Sequence, residues 1–318
     1  MTDMANDADM PAATPAPTVA KLRHDIFEHG SASRGDLDRL IDIGRAEDRQ
    51  AGFSDLMAEV ACTVMVHGAD PDGYVTDADA AWLIGKLSNG GGLSNEAEFA
   101  AVRSVISYAI SVPPALTAFA MAQERRAILA RGAGAFVSAQ DVRTLRAIAF
   151  APTQGSSLRV TRESAEALFD IAHATGQAPN DASFPEMFAK TIGNYLIGVA
   201  FQGTAPAQEV RAQEAERDAR MGFGGFLSAM FGGARADLAT ERTSTQGLEE
   251  EAYGEQNRLT ERPQAEADHI KPQDADWVID HLTREGELTP AEKRLLSFIK
   301  QEAPDAPPAL AALFDKAA

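Results

Sequence analysis

Apolar residues along this chain recur at three- and four-residue spacing, and almost nowhere do they alternate. Leu37, Leu40 and Ile41 share one helical face, as do Ala165, Leu168, Phe169 and Ala172. Phe53, Leu56, Met57, Val60 and Val64 form a second stripe, and Phe184, Met187, Phe188, Ile192, Tyr195 and Val199 another. Many stripes begin with the same phrase: an apolar residue, a Ser or Thr, and an acid three residues later. Val75-Thr76 with Asp79, Val137-Ser138 with Asp141, and Leu288-Thr289 with Glu292 follow it. Leu93-Ser94 and Val160-Thr161 keep the hydroxyl but carry Ala97 and Ser164 at the acid position. A hydroxyl there accepts from the free amides of a first helical turn, and the acid closes a capping box and favours the positive helix end. The pattern predicts an all-α chain of repeated, capped helices.

The phrases recur in a longer order. Leu22-Arg23 with Phe27 matches Leu145-Arg146 with Phe150, and residues 33–43 match 161–171, setting Arg34 against Arg162 and Asp42 against Asp170. Phe53 to Ala58 matches Phe184 to Ala189. Asp79 to Ile84 matches Asp274 to Ile279, pairing the two tryptophans, Trp82 and Trp277. Leu93-Ser94 then matches Leu288-Thr289, and Pro113 to Leu116 recurs as Pro307 to Leu310. The expectation is an internal duplication, with a tail over 1–18, a first half over 19–122, a connection over 123–135 and a second half over 136–316. Residue 22 meets 145 but residue 79 meets 274, so the offset grows from 123 to 195. That growth locates an insertion over 203–271 in the second half. Within it, 221–233 places Phe223, Phe226, Leu227, Met230 and Phe231 at helical spacing between glycine pairs, and 234–267 is polar, acidic and turn-rich, the composition of a mobile stretch.

The run from Gly68 to Asp79 resembles the loop of an EF-hand. Asp70, Asp72, Gly73, Val75 and Asp79 stand at that family's third, fifth, sixth, eighth and twelfth positions. Gly68 departs at the first position, Pro71 lies within the loop, and the twelfth position carries Asp in place of Glu. His281 to Glu292 shares only Gly286, Leu288 and Glu292. The resemblance covers loop-sized pieces. It implies short β-bridges between neighbouring loops and calcium held by Asp70, Asp72 and Asp79. A calcium ion takes six to eight oxygens, so the loop's own residues also read as a capped turn feeding the Trp82 helix.

Composition narrows the partners. The chain has 318 residues, 45% hydrophobic, with a formal net charge of −18 and a pI near 4.7. Such a field repels phosphate backbones and anionic lipid, which argues against nucleic acid and disfavours membrane contact. The single cysteine, Cys62, lies in an apolar helical stretch and reads as a buried structural thiol. Residues 1–18 carry Asp3, Asp7 and Asp9 before a Pro/Ala run, and read as a disordered acidic tail in place of a signal peptide. No window reaches the roughly 20 apolar residues of a membrane span, and cytoplasmic residence is the expectation.

Catalytic signatures are sparse. No nucleophile elbow, P-loop or dinucleotide fingerprint is present, and no two of the six histidines pair at helical spacing for a metal. Asp42 and Asp170, with Arg34 and Arg162, read either as a carboxylate pair for acid–base work or as ion pairs at the repeat interface. The Phe223–Phe231 segment has three open placements: on its own protein, in a partner's groove, or at a membrane interface. The leading expectation is a non-catalytic helical interaction or scaffold protein with a protein partner. The alternatives are an EF-hand-like regulator binding a cation weakly, and a helical enzyme using carboxylates between the halves.

Overall fold

A computed structural model describes residues 17–46, 50–88, 91–153, 160–198, 270–284 and 287–317. Among these the chain is all-α: α1 Val19–Phe27, α2 Arg34–Ala46, α3 Phe53–Cys62, α4 Asp77–Leu87, α5 Glu96–Tyr108, α6 Pro114–Leu129, α7 Ala139–Ala149, α8 Arg162–Ala174, α9 Phe184–Gly198, α10 Pro272–Thr283, α11 Pro290–Glu302 and the short α12 Pro308–Ala311. The insertion lies outside the described residues except for residues 270 and 271, as do Val199 and residues 1–16.

The stripes named above form the core. Leu37, Leu40, Ile41, Leu56, Met57, Val60, Leu168, Phe169, Met187, Phe188 and Ile192 are all buried. The most extensive helix pairings are α3 with α5 and α9 with α11, while α6 lies along α8. Burial of one apolar stripe against another is the main stabilising contribution to helices of this length, which are marginal alone.

The helix starts follow the capping logic. Capping boxes close at Thr76/Asp79, Ser138/Asp141 and Thr289/Glu292, and the Thr161 hydroxyl accepts from Ser164 N–H at the start of α8. One start differs from the sequence reading. Asn95, not Ser94, caps α5: its Oδ1 accepts from Glu98 N–H at 3.1 Å. The acid three residues on is therefore Glu98 rather than Ala97. Glu98 reaches back to Ser94, accepting from its backbone N–H at 2.6 Å. Ser138→Ala is expected to cost about 1 kcal/mol, the usual price of a lost N-cap, read as a lower midpoint in urea unfolding.

α6 runs on through residues 123–129, the first part of the expected connection, with Leu116, Ala120, Met121, Glu124 and Ile128 buried along it. Its burial against α8 keeps the helical register going.

Two single-residue parallel bridges tie three loops together, Tyr74 with Ser111 and Val112 with Thr153. Val75 N–H donates to Ser111 O at 3.0 Å and Val112 N–H to Pro152 O at 2.8 Å. The α5–α6 connection thus pairs with both the loop before α4 and the α7–α8 connection. Gly73 is required at this junction: its φ is +86°, and a Cβ there would sit 2.6 Å from Ile110 Cδ1.

Candidate functional site

At α4, α5, α7, α9 and α11 an acid occupies the third helical position and meets a basic side chain from another part of the chain. Asp79 of α4 pairs with Arg34. Glu98 of α5 is reached by Arg45 Nε at 2.6 Å. Arg131 grips Asp141 of α7 with two bonds of 2.7 Å. Arg294 reaches Glu186 of α9 at 2.6 Å, and His173 Nε2 lies 2.9 Å from Glu292 of α11. An acid in the first turn already answers the positive helix end. The second partner turns each cap into a clamp between elements.

Two of these clamps are buried. The Glu98 side chain is fully enclosed, and Arg45 also donates to the Lys86 and Leu87 carbonyls at 3.0 and 3.1 Å, satisfying the C-terminus of α4. The His173 and Glu292 side chains are 8% and 4% exposed. Glu292 Oε2 accepts from Thr289 N–H at 2.7 Å while Oε1 faces His173 Nε2. Burial pushes the Glu292 carboxyl up, but the bonds from His173 and Thr289 outweigh it and hold it below its ordinary value.

An aromatic cluster surrounds His173. Phe169 lies edge-on to Phe188 at 5.1 Å and to Trp277 at 5.5 Å. His281 stacks on Phe169 with centroids 4.3 Å apart, and lies 6.1 Å from His173. His281 is buried, and its Nδ1 has no hydrogen-bond partner among the described residues. Burial, then the charge of Arg284 and the neighbouring His173, hold its imidazole below the usual histidine value, against the pull of Glu166 and Asp170. Outside the cluster an open cleft of about 310 Å³ is lined by Glu166, Asp170, Trp277, Asp280, His281 and Arg284.

The residues singled out in the sequence fall as follows. Arg34 lies over the Trp82 ring at 5.2 Å, and Arg162 over the Trp277 ring at 4.9 Å. Asp42 is exposed on α2, and Asp170 pairs with Arg125 of α6 at 2.8 Å. Asp170 lines the cleft and Asp42 does not, so the two carboxylates are not gathered in that cleft. Arg34 and Arg162 pair with Asp79 and Glu166, not with Asp42 and Asp170. Asp70 and Asp72 are exposed, and Asp72 lies 3.3 Å from His67. Asp79 spends one oxygen on Thr76 and the other on Arg34. No group of three His, Cys, Asp or Glu that could hold a metal occurs among the described residues. With Asp79 so occupied, the calcium titration of the chain should be unchanged by Asp70→Asn combined with Asp72→Asn. Phe223, Phe226, Leu227, Met230 and Phe231 lie outside the described residues.

Cys62 is buried at the end of α3, and burial pushes its thiol up to about 11. Such a thiol is almost wholly protonated at neutral pH and is a poor nucleophile. No helix among the described residues is long and apolar enough to cross a membrane. No protein-family model, curated protein or solved structure matches this chain.

Proposed function

We propose that this chain is a non-catalytic helical interaction protein, built from one six-helix plan used twice, that acts by presenting surface to a protein partner. The observation that carries the reading is the use made of its ionisable groups. Among the buried acids, Glu98, Asp141 and Glu292 are each bonded to a basic side chain and to their own helix start, while Asp274 accepts from the Tyr195 hydroxyl at 3.4 Å. Buried Glu124 is likewise held by a two-pronged contact from Arg103 at 2.7 and 2.9 Å. A general acid or base needs a free proton site facing a reacting group, and these acids are occupied in joining helices.

The duplicated plan is supported by packing as well as by sequence. α1 to α6 correspond in order to α7 to α12. The α3–α5 pairing has its counterpart in α9–α11, and α4 meets α6 as α10 meets α12. Each half sets an arginine near the start of its second helix over the tryptophan of its fourth. With Asn95 as the cap of α5, Glu98 falls opposite Glu292, the same spacing that sets Pro113-Pro114 opposite Pro307-Pro308.

The segment 221–233 supplies the apolar spacing of a helix that docks in a groove, and we assign partner binding to it. The test is affinity capture from the native host with the whole chain and with 221–233 deleted, alongside thermal unfolding of both. The reading predicts a protein held in near-stoichiometric amount by the whole chain and lost on deletion, with an unchanged unfolding midpoint. Lost stability with an unchanged set of captured proteins would instead assign the segment to the chain's own fold.

A further inference from the structure

Among the five clamps above, four use arginine and one uses histidine. Arginine keeps its charge at every physiological pH, whereas an imidazole changes charge near neutrality. In the register that pairs Arg34 with Arg162, His173 stands where the first half has Arg45. In the register that pairs Trp82 with Trp277, His281 stands where it has Lys86. The acids are retained: Glu98 is matched by Glu292, and Asp38, which holds Lys86 at 2.7 Å, by Glu166, which lines the cleft beside His281. Two permanent cations of the first half are thus replaced in the second by imidazoles 6.1 Å apart.

We propose that His281, packed against Phe169 and His173, is a proton-operated latch, in which a proton on its ring releases α10 from α8 while the Arg45 and Lys86 contacts of the first half stay closed. The comparison between halves rests on the duplicated plan; the latch itself stands on the geometry of the second half alone. A carboxylate oxygen only accepts hydrogen bonds, so the short contact to Glu292 Oε1 requires a hydrogen on His173 Nε2. That is satisfied by the neutral ring and strengthened by the charged one. His281 has no equivalent arrangement. One face lies on Phe169, and Trp277 lies edge-on at 4.9 Å. The charged groups around it are His173, Glu166 and Asp170 on α8, Asp280 on its own helix, and Arg284 just beyond that helix's end. A proton on His281 would place a cation against an apolar ring, near both Arg284 and His173.

The direction follows from linkage. Because folding holds His281 below 6.5, the open form binds more protons as pH falls through 6.5. The stability His281 contributes is present above 6.5 and is lost toward its lower folded value. Glu292, also held low, adds a loss in the same direction only below its ordinary 4.5.

Amide hydrogen exchange on the full chain at pH 7.5 and 5.5, corrected for the intrinsic chemical rate, tests this. Opening of α10 should rise by up to about tenfold at pH 5.5, the limit for one proton one unit below 6.5, with α2 and α4 unchanged. His281→Phe keeps a ring against Phe169 and takes no proton, so the acid response of α10 should disappear. An equal rise in both halves, or a response surviving in His281→Phe, would overturn the latch. If that variant does not fold, NMR titration of the unaltered chain decides. The His281 ring, assigned through its contacts to Phe169 and Trp277, should titrate below 6.5, and an ordinary midpoint would overturn the proposal. None of these readouts depends on finding a partner, so the latch and the interaction reading fail separately.

Discussion

Arg45→Ala is expected to destabilise the chain by about 3 to 5 kcal/mol, the cost of stripping one partner from a buried ion pair. The cost is large because the Glu98 carboxylate is fully enclosed and keeps only its own helix start as donor. The same substitution removes the donors to the Lys86 and Leu87 carbonyls, so the C-terminus of α4 loosens as well. Arg45→Lys should recover only part of the loss, since an ammonium cannot serve Glu98 and two carbonyls with a planar fork. Arg45→Met combined with Glu98→Gln should cost less than Arg45→Ala alone, because no charge is then left buried. Urea unfolding of the three variants checks the order. A loss under about 1 kcal/mol for Arg45→Ala, the range of an exposed pair, would show that Glu98 reaches water.

Phe169→Ala is expected to cost about 3 to 5 kcal/mol, as for other fully buried phenylalanines. The ring lies at the centre of the second half, touching Phe188, Trp277 and His281. Its loss opens a cavity between α8, α9 and α10 and removes the apolar face that covers His281. Two readings should therefore move together: the unfolding midpoint falls, and the His281 titration rises toward 6.5. Phe169→Leu should retain much of the stability while losing the ring stack. Unfolding at equilibrium and histidine NMR measure the two effects in one preparation.

The helical class was legible because it depends on local order. Apolar residues at three- and four-residue spacing, with Thr76, Ser138, Thr161 and Thr289 ahead of them, leave no competing secondary structure. The slip at α5 shows where local reading stops. Ser94 and Asn95 are both good caps, and the choice turned on which register buries Ala97, Ala101, Val102 and Val105 and sends Glu98 toward Arg45. The end of α6 turns on packing in the same way. Residues 123–129 are mostly polar, yet Glu124 is buried because Arg103 of α5 meets it.

The histidines were passed over because they were judged by spacing within a helix. His173 and His281 lie 108 positions apart in the chain and meet only because α8 and α10 pack on each other's aromatic faces. The signal available was the proposed repeat: extending the match of Arg34 with Arg162 sets Arg45 opposite His173. Asp42 and Asp170 mislead in the opposite direction. They match in sequence, but one is exposed and the other is drawn to Arg125 on α6.

By itself the sequence determined the helical class, the capped starts and the apolar stripes, since all of these follow from neighbours a turn or two apart. Tertiary structure alone decided which side chain each buried acid meets. A helix of this chain offers several charged groups on one face, and the distance between helix axes selects among them. That selection put arginines on Glu98 and Asp141 and an imidazole on Glu292, because only packing removes the water that would otherwise make the choice immaterial.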